Sequence, residues 1–215
     1  MVCFPVPMKL ILASSSPRRA EILRAAGFSF EVLPADIDET LRPGEAATEY
    51  VRRLAEEKAR TVARKIAKAD SDAKAIIIAA DTTVVVSGAI LGKPESPSDA
   101  QRMLEQLSGC THDIYTGVAL LRLPEGVERI FTDVTRVDFA DLNPKEIADY
   151  VASGEPFGKA GGYAIQGLGG RFVKRIDGCW FNVMGLPLAR IYEELPKFQE
   201  ETAPTQTHFN KQSAK

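Results

Sequence analysis

Between residues 75 and 80 the chain reads Ala-Ile-Ile-Ile-Ala-Ala, and residue 81 is an aspartate. An apolar run with no polar alternation suits a strand buried on both faces at the centre of a sheet. A carboxylate directly after it is costly unless it is solvated, paired or bound to a cation. Ligands of open α/β sheets gather outside the carboxyl ends of strands. Asp81 at such an end therefore either holds a divalent cation or accepts a proton from water, or it is a turn aspartate bonded to its own backbone.

The segments around this run alternate between the two periodicities. Residues 9–13 form a short apolar strand, and a helical pattern follows to Gly27. Residues 28–33 alternate as a strand, and residues 48–68 form a long amphipathic helix. Residues 83–86 and 89–91, joined at Ser87-Gly88, read as a hairpin. Residues 98–107 form a helix ended by Gly109. Two long antiparallel strands, 113–123 and 128–139, join near Glu125-Gly126. Asn143-Pro144-Lys145-Glu146 opens a capped helix. A glycine-rich stretch over 158–170, a strand over 171–177 and a helix over 187–195 complete the pattern. This is an α/β protein with a mixed sheet. Its 215 residues suit one domain of two lobes, or two small domains. Residues 1–7 read as an extension, and the polar residues 196–215 as a disordered tail.

Composition excludes several classes. The formal charge of -2 gives no basic field for nucleic acid, and no aromatic-basic pattern replaces it. No apolar run approaches a membrane span. Three cysteines, Cys3, Cys110 and Cys179, lack metal-ligand spacing and favour a reducing compartment, the cytoplasm. His112 and His208 have no zinc partners and no serine elbow. The segment 154–160 is one residue short of a P-loop, with Ala160 where a magnesium-binding hydroxyl belongs.

Positive chemistry concentrates in a few places. Ser14-Ser15-Ser16-Pro17-Arg18-Arg19 starts a helix, with Ser16 as cap and Pro17 first. Two arginines in a first turn oppose the helix dipole by about 0.3–1 kcal/mol each, a conflict that a bound anion would relieve. Pairing to surface carboxylates would relieve it too. Lys58 lies on the apolar stripe of Val51, Leu54, Ala55, Ala59, Val62 and Ile66; it either snorkels to the edge or aims into a cleft. Asp36, Asp38 and Glu39 offer oxygen ligands to a hard cation or form a solvated loop.

Together, Leu12-Ala13-Ser14-Ser15-Ser16-Pro17-Arg18-Arg19, Glu57-Lys58-Ala59, Ala80-Asp81-Thr82, Gly92-Lys93-Pro94, Leu107-Ser108-Gly109, Lys159-Ala160-Gly161-Gly162-Tyr163 and Ile165-Gln166-Gly167 resemble the Maf family of nucleoside triphosphate pyrophosphatases. The resemblance covers residues 10–195. It implies a mixed twisted sheet in two lobes over residues 8–195 around a long cleft, similar to inosine triphosphate pyrophosphatases. It implies hydrolysis to nucleoside monophosphate and pyrophosphate, by water attack on the α-phosphorus with Mg²⁺ or Mn²⁺. Asp81 matches the proton acceptor. Ser14, Arg18, Arg19, Lys58 and Lys93 match polyphosphate-binding positions, and Glu39 a metal carboxylate, with Asp81 as its companion. Arg18, Thr82 and Gln166 match base-choice positions and carry the residue types of the dTTP/UTP branch rather than the methylated-GTP branch. The family is also linked to restraint of cell division, which no residue here derives. The main rival is a non-catalytic nucleotide-sensing regulator using the same cleft. A small-molecule nucleotide is the expected partner, and a homodimer is compatible with the sequence. On this reading, Arg18→Ala and Lys58→Ala should impair function and cost little stability.

Overall fold

In the computed structural model, which describes residues 8–200, the apolar run is the first half of a longer strand. It belongs to a seven-stranded mixed sheet with helices on both faces. The strands are β1 (Lys9–Leu12), β2 (Glu31–Val32), β3 (Ala75–Val86), β4 (Ala89–Leu91), β5 (Thr111–Leu123), β6 (Val127–Phe139) and β7 (Val173–Asp177). Their order is β2-β1-β3-β5-β6-β7, with β4 also paired to β3. β1 runs parallel to β2 and β3; β3, β5, β6 and β7 pair antiparallel. The helices are α1 (Pro17–Ala25), α2 (Ala47–Ala69), α3 (Pro97–Leu107), α4 (Pro144–Ala152), α5 (Trp180–Val183) and α6 (Leu188–Glu200).

The pleat divides the interior in two. Ile11, Ala13, Ala75, Ile77, Ala79, Ala119 and Leu121 pack under the α2 residues Ala55, Ala59 and Val62. Leu10, Leu12, Ile76, Ile78, Ala80, Val118 and Leu120 face the opposite way, into a larger core with Leu23, Leu104 and Ile191. Each fully buried Leu, Ile or Val contributes about 1.5–3 kcal/mol of transfer free energy. Both faces of β3 thus need cover, which is why its first half has no polar alternation. Among the described residues no helix is long and apolar enough to cross a membrane.

Several expectations need correction. The strand expected to stop at Ala80 runs on to Val86, because β5 pairs with it continuously from Ala75↔Leu123 to Val85↔Asp113. The strand expected over 28–33 reduces to Glu31–Val32; the Phe28 N–H is already used on Leu23 O (3.0 Å), closing α1. The tail expected from Pro196 begins later, since α6 continues through Pro196 to Glu200. Phe198 anchors it, fully buried under the Arg122 and Arg129 guanidiniums, while its carbonyl accepts from Arg122. The extension 1–7, with Cys3, and residues 201–215, with His208, lie outside the described residues. Cys110 and Cys179 are free thiols.

His112 is a core histidine. It is 2% exposed, packs edge-on against Phe139 and Tyr163, and pairs Nε2 with the Tyr163 hydroxyl at 2.8 Å. Nδ1 has no partner among the described residues. Burial pushes its pKa down to about 4, against the pull of Asp113 and Asp138. The unfolded chain, with an ordinary value near 6.5, binds the extra proton first. The neutral ring's contribution is therefore full above about pH 6.5 and is lost as pH falls towards 4, by up to about 3 kcal/mol. Urea unfolding at stepped pH should show wild type losing this increment relative to His112→Met; parallel pH profiles would refute it.

Candidate active site

The site is a gap in the ladder along one edge of β3. On that edge β1 pairs as far as Leu12↔Ile78, and β4 takes over only at Val84↔Leu91. Between them, residues 79–83 have β5 on one side and a cleft on the other. The chain leaving β1 turns off as Ser14-Ser15-Ser16 into α1. Ser16 holds the cap position but its side chain makes no capping bond, contrary to expectation; Ser14 Oγ accepts the Ser16 N–H instead (3.2 Å). Asp81 thus lies inside a strand, at a break in its neighbours, rather than at a strand end. The cleft encloses about 460 Å³, within the range of small-molecule sites. Ser14, Arg18, Arg19, Glu39, Lys58, Asp81, Thr82, Lys93 and Gln166 all line it.

Strand alternation sends Asp81 and its neighbour Thr82 to opposite faces. Asp81 points to the α2 side. Lys58 does not snorkel to the surface: its ammonium lies 2.5 Å from Asp81 Oδ1 and 2.6 Å from Glu39 Oε1. Lys58 and Asp81 are 6% and 8% exposed. Lys93 reaches Glu39 Oε2 at 2.7 Å from across the cleft. Burial alone would raise the Glu39 pKa, but the two lysines overbalance it and hold it at about 2. The Glu39 loop is tied down at its backbone, where the Tyr50 hydroxyl donates to Glu39 O (2.8 Å) and Arg53 to Thr40 O (3.1 Å). Asp38 turns away to cap Thr40, so of the expected acidic trio Glu39 alone joins the cluster.

A residue not singled out from sequence makes this contact geometrically possible. Gly117 stands opposite Asp81 on β5, and a Cβ there would lie 2.3 Å from Val51 O and 2.8 Å from Arg52 N. The missing side chain lets α2 rest its backbone on the sheet and brings Lys58 within reach. A glycine inside a strand of thirteen residues is the signal that marks such a close approach.

On the other face, Arg19 is a brace. Its guanidinium donates to Gly185 O (2.7 Å), Ser14 Oγ (3.2 Å) and Thr82 Oγ1 (3.0 Å), joining the β1–α1 turn, β3 and the segment after α5. Burial lowers its pKa, while Asp81 and Glu39 oppose that shift. Thr82 Oγ1 also pairs with Thr116 Oγ1 at 2.9 Å. Arg18 differs: half-buried, it has no hydrogen bond or ion pair among the described residues. Burial lowers its pKa as well, and the nearby charges it feels include Glu155 in the glycine-rich region. Gln166 is exposed into the cleft, and its amide has no partner among the described residues. The two first-turn arginines thus divide between a fixed strut and a free cation.

The donor set can be tested against a metal. Among the described residues no three His, Cys, Asp or Glu side chains converge. Glu39 and Asp81 alone converge, with an ammonium already between them. Two carboxylates cannot cage a cation, yet they fit one that brings most of its oxygens with a phosphate ligand and water.

The cleft of this α/β protein thus has cations along it, a buried carboxylate on its floor and an unengaged amide in its wall. The Maf-like protein family matches residues 9–198, and the chain belongs to that family. It is 48% identical over 191 residues to a dTTP/UTP pyrophosphatase of Carboxydothermus hydrogenoformans, covering 87% of this chain and 97% of that protein. It is 45% identical over 192 residues to one of Clostridium perfringens, covering 89% and 97%. A further protein of that name, from Anaeromyxobacter sp., is 48% identical over 190 residues, covering 87% and 88%.

Breaking the buried pair from one side leaves a charge behind, so the expectation of a small stability cost at Lys58 is revised. Lys58→Met should destabilise by up to about 3 kcal/mol, less what water in the cleft recovers. The loss should shrink in an Asp81→Asn background, a coupling that a urea-unfolding double-mutant cycle reads directly; additive losses would show no such pairing. Gly117→Ala should lower the unfolding midpoint as well, by lifting α2 from β5.

Proposed function

We propose that the protein hydrolyses dTTP and UTP to the nucleoside monophosphate and pyrophosphate. The observation that carries this reading is the ion cluster on the cleft floor: a buried carboxylate held by one lysine, beside a second carboxylate shared by two. The name borne by the relatives, at this identity and coverage, supports it. Pyrophosphate as a leaving group needs positive charge along the outer phosphates. Lys93 and Lys58 supply it, and the backbone and hydroxyl of Ser14 add neutral donors. Arg19 is already committed to three acceptors and keeps the β1–α1 turn in place for the others.

In this reading, the α-phosphate lies over Asp81. The Asp81 carboxylate orients a water molecule and takes its proton as the water oxygen bonds to the α-phosphorus and the bond to the bridging oxygen breaks. Glu39, with Asp81 beside it, would hold a Mg²⁺ or Mn²⁺ arriving with the triphosphate, and such an ion would supply charge neutralisation there. Lys58, bonded to both carboxylates, holds Asp81 and Glu39 together on the cleft floor.

Base choice falls to Gln166 and Arg18. The uracil edge offers a ring N–H beside carbonyls, which an amide meets with one acceptor and one donor. An arginine donor beside a carbonyl disfavours an amino group at the same place. The Thr82 hydroxyl is already engaged by Arg19 and Thr116, so its influence on base choice runs through Arg19 rather than by contact. The setting fits a cytoplasmic enzyme of nucleotide-pool maintenance, acting as a monomer or homodimer.

A panel of UTP, dTTP, CTP, ATP, GTP and 7-methyl-GTP, with products resolved, tests the reading. UTP and dTTP should have the highest kcat/KM and yield pyrophosphate. A preference for 7-methyl-GTP would move the protein to that branch, and binding without pyrophosphate release would make it a regulator. Asp81→Asn should lower kcat by roughly 10²-fold or more while KM changes less. EDTA should abolish turnover, and Mg²⁺ should restore it without refolding; full activity in EDTA would remove the metal from the scheme.

A further inference from the structure

The glycine-rich segment that carries Gln166 is folded around one acid and one phenol. Glu155, three residues beyond α4, accepts the Leu168 N–H through Oε2 and the Gly169 N–H through Oε1, both at 2.9 Å. Glu155 Oε1 also accepts the Tyr150 hydroxyl at 2.8 Å. Tyr150 Oη in turn accepts the Ala164 N–H at 3.1 Å. Backbone N–H groups on both sides of Ile165-Gln166 are thereby tied to one hydrogen-bonded unit. Burial alone would raise the Glu155 carboxyl, yet these donors hold it below its usual range.

The glycines fit the same arrangement. A Cβ at Gly167 would lie 2.2 Å from Glu155 Oε2, and one at Gly169 would lie 2.6 Å from Tyr150 Oη. The segment closes over the pair more tightly than any side chain would allow. Glycines also make the free chain flexible, so such a segment needs pins to hold one conformation. Ionised glutamate is an acceptor only, and it selects the single path on which N–H groups 168 and 169 both turn inward. The Gln166 amide makes no hydrogen bond among the described residues, so its placement is inherited from this backbone.

We infer that Glu155, acting through Tyr150 and the backbone of residues 164–169, is the positioning residue that fixes Gln166 and so sets the pyrimidine preference. The inference rests on the reading of the cleft as a pyrimidine nucleotide site. A Gln166 free to shift could meet uracil or, turned over, cytosine. A Gln166 on a fixed backbone presents its amide at one place, where Arg18, a donor only, makes the orientation that meets uracil the better one. Glu155 is thus a selectivity element without touching the base.

Three inhibitors separate base recognition from phosphate binding: UMP, CMP and inorganic tripolyphosphate, each competed against UTP. The variants are Glu155→Gln, which turns one acceptor into an amide N–H facing a backbone donor, and Tyr150→Phe, which keeps the ring packed on Phe172 and removes the hydroxyl link. Both are first checked for folding by thermal melting, and Tyr150→Phe carries the test if Glu155→Gln does not fold. Expected are a roughly 10-fold rise in Ki for UMP, a smaller rise for CMP, and tripolyphosphate within about twofold of wild type. Glu155→Gln also removes a charge that Arg18 feels. As charge alone that loss would tighten tripolyphosphate, so tripolyphosphate weakened in step with UMP would mean a general packing effect and would overturn the inference. An unchanged UMP-to-CMP ratio in folded variants would overturn it too. Wild type that shows no preference for UMP over CMP fails the underlying reading itself, and both fall together.

Discussion

The Lys58–Asp81 ion pair sits on the α2 face of β3, beside the break in the sheet where β1 has left and β4 has not begun. A carboxylate in the body of a strand, after a run of isoleucines and alanines, is costly to bury without a close cation. The cation comes from the apolar stripe of α2, and it arrives only because β5 has Gly117 opposite Asp81. The gap between β1 and β4 then keeps the pair open to a ligand on one side. Glu39 extends the pair into a chain that reaches Lys93 across the cleft. Sheet continuity, helix packing and cleft charge meet at this one contact.

The two faces of β3 carry different duties because successive side chains oppose one another. The α2 face holds the charged cluster of Lys58, Asp81, Glu39 and Lys93. The α1 face holds a static network, Arg19–Thr82–Thr116, whose members satisfy each other. Two adjacent residues, Asp81 and Thr82, therefore serve a charged cluster on one face and a braced hydroxyl network on the other. The glycine-rich segment supplies a third wall, framed by Glu155 and Tyr150 and packed on the sheet through Tyr163 and Ile165.

Much of this was legible in the chain. The continuous apolar run located the sheet centre, the Ser-Ser-Ser-Pro-Arg-Arg turn located the cleft mouth, and the stripe of α2 placed Lys58 where its head group had a choice. What periodicity could not show was that β3 passes straight through Asp81. Strand continuation there is enforced by pairing with β5, distant in sequence, rather than by local residue types. The separate fates of Arg18 and Arg19 were hidden for the same reason: both sit in one helical turn, and only the position of Gly185 decides which is captured. Phe198 similarly kept α6 going past a proline, since an aromatic anchor in the core outweighs one lost backbone bond. Glu155 left a fainter trace, an acid before a run of glycines whose purpose depends on the fold.

If Asp81 faces the attacking water, the oxygen of that water must end on the nucleotide. Hydrolysis of UTP in oxygen-18 water, followed by phosphorus NMR of the separated products, reads this directly. The account predicts one heavy oxygen on the UMP phosphate and none on pyrophosphate. Label in pyrophosphate, or orthophosphate released with UDP, would place the attack at another phosphorus and contradict the assignment of Asp81 to the α-phosphate.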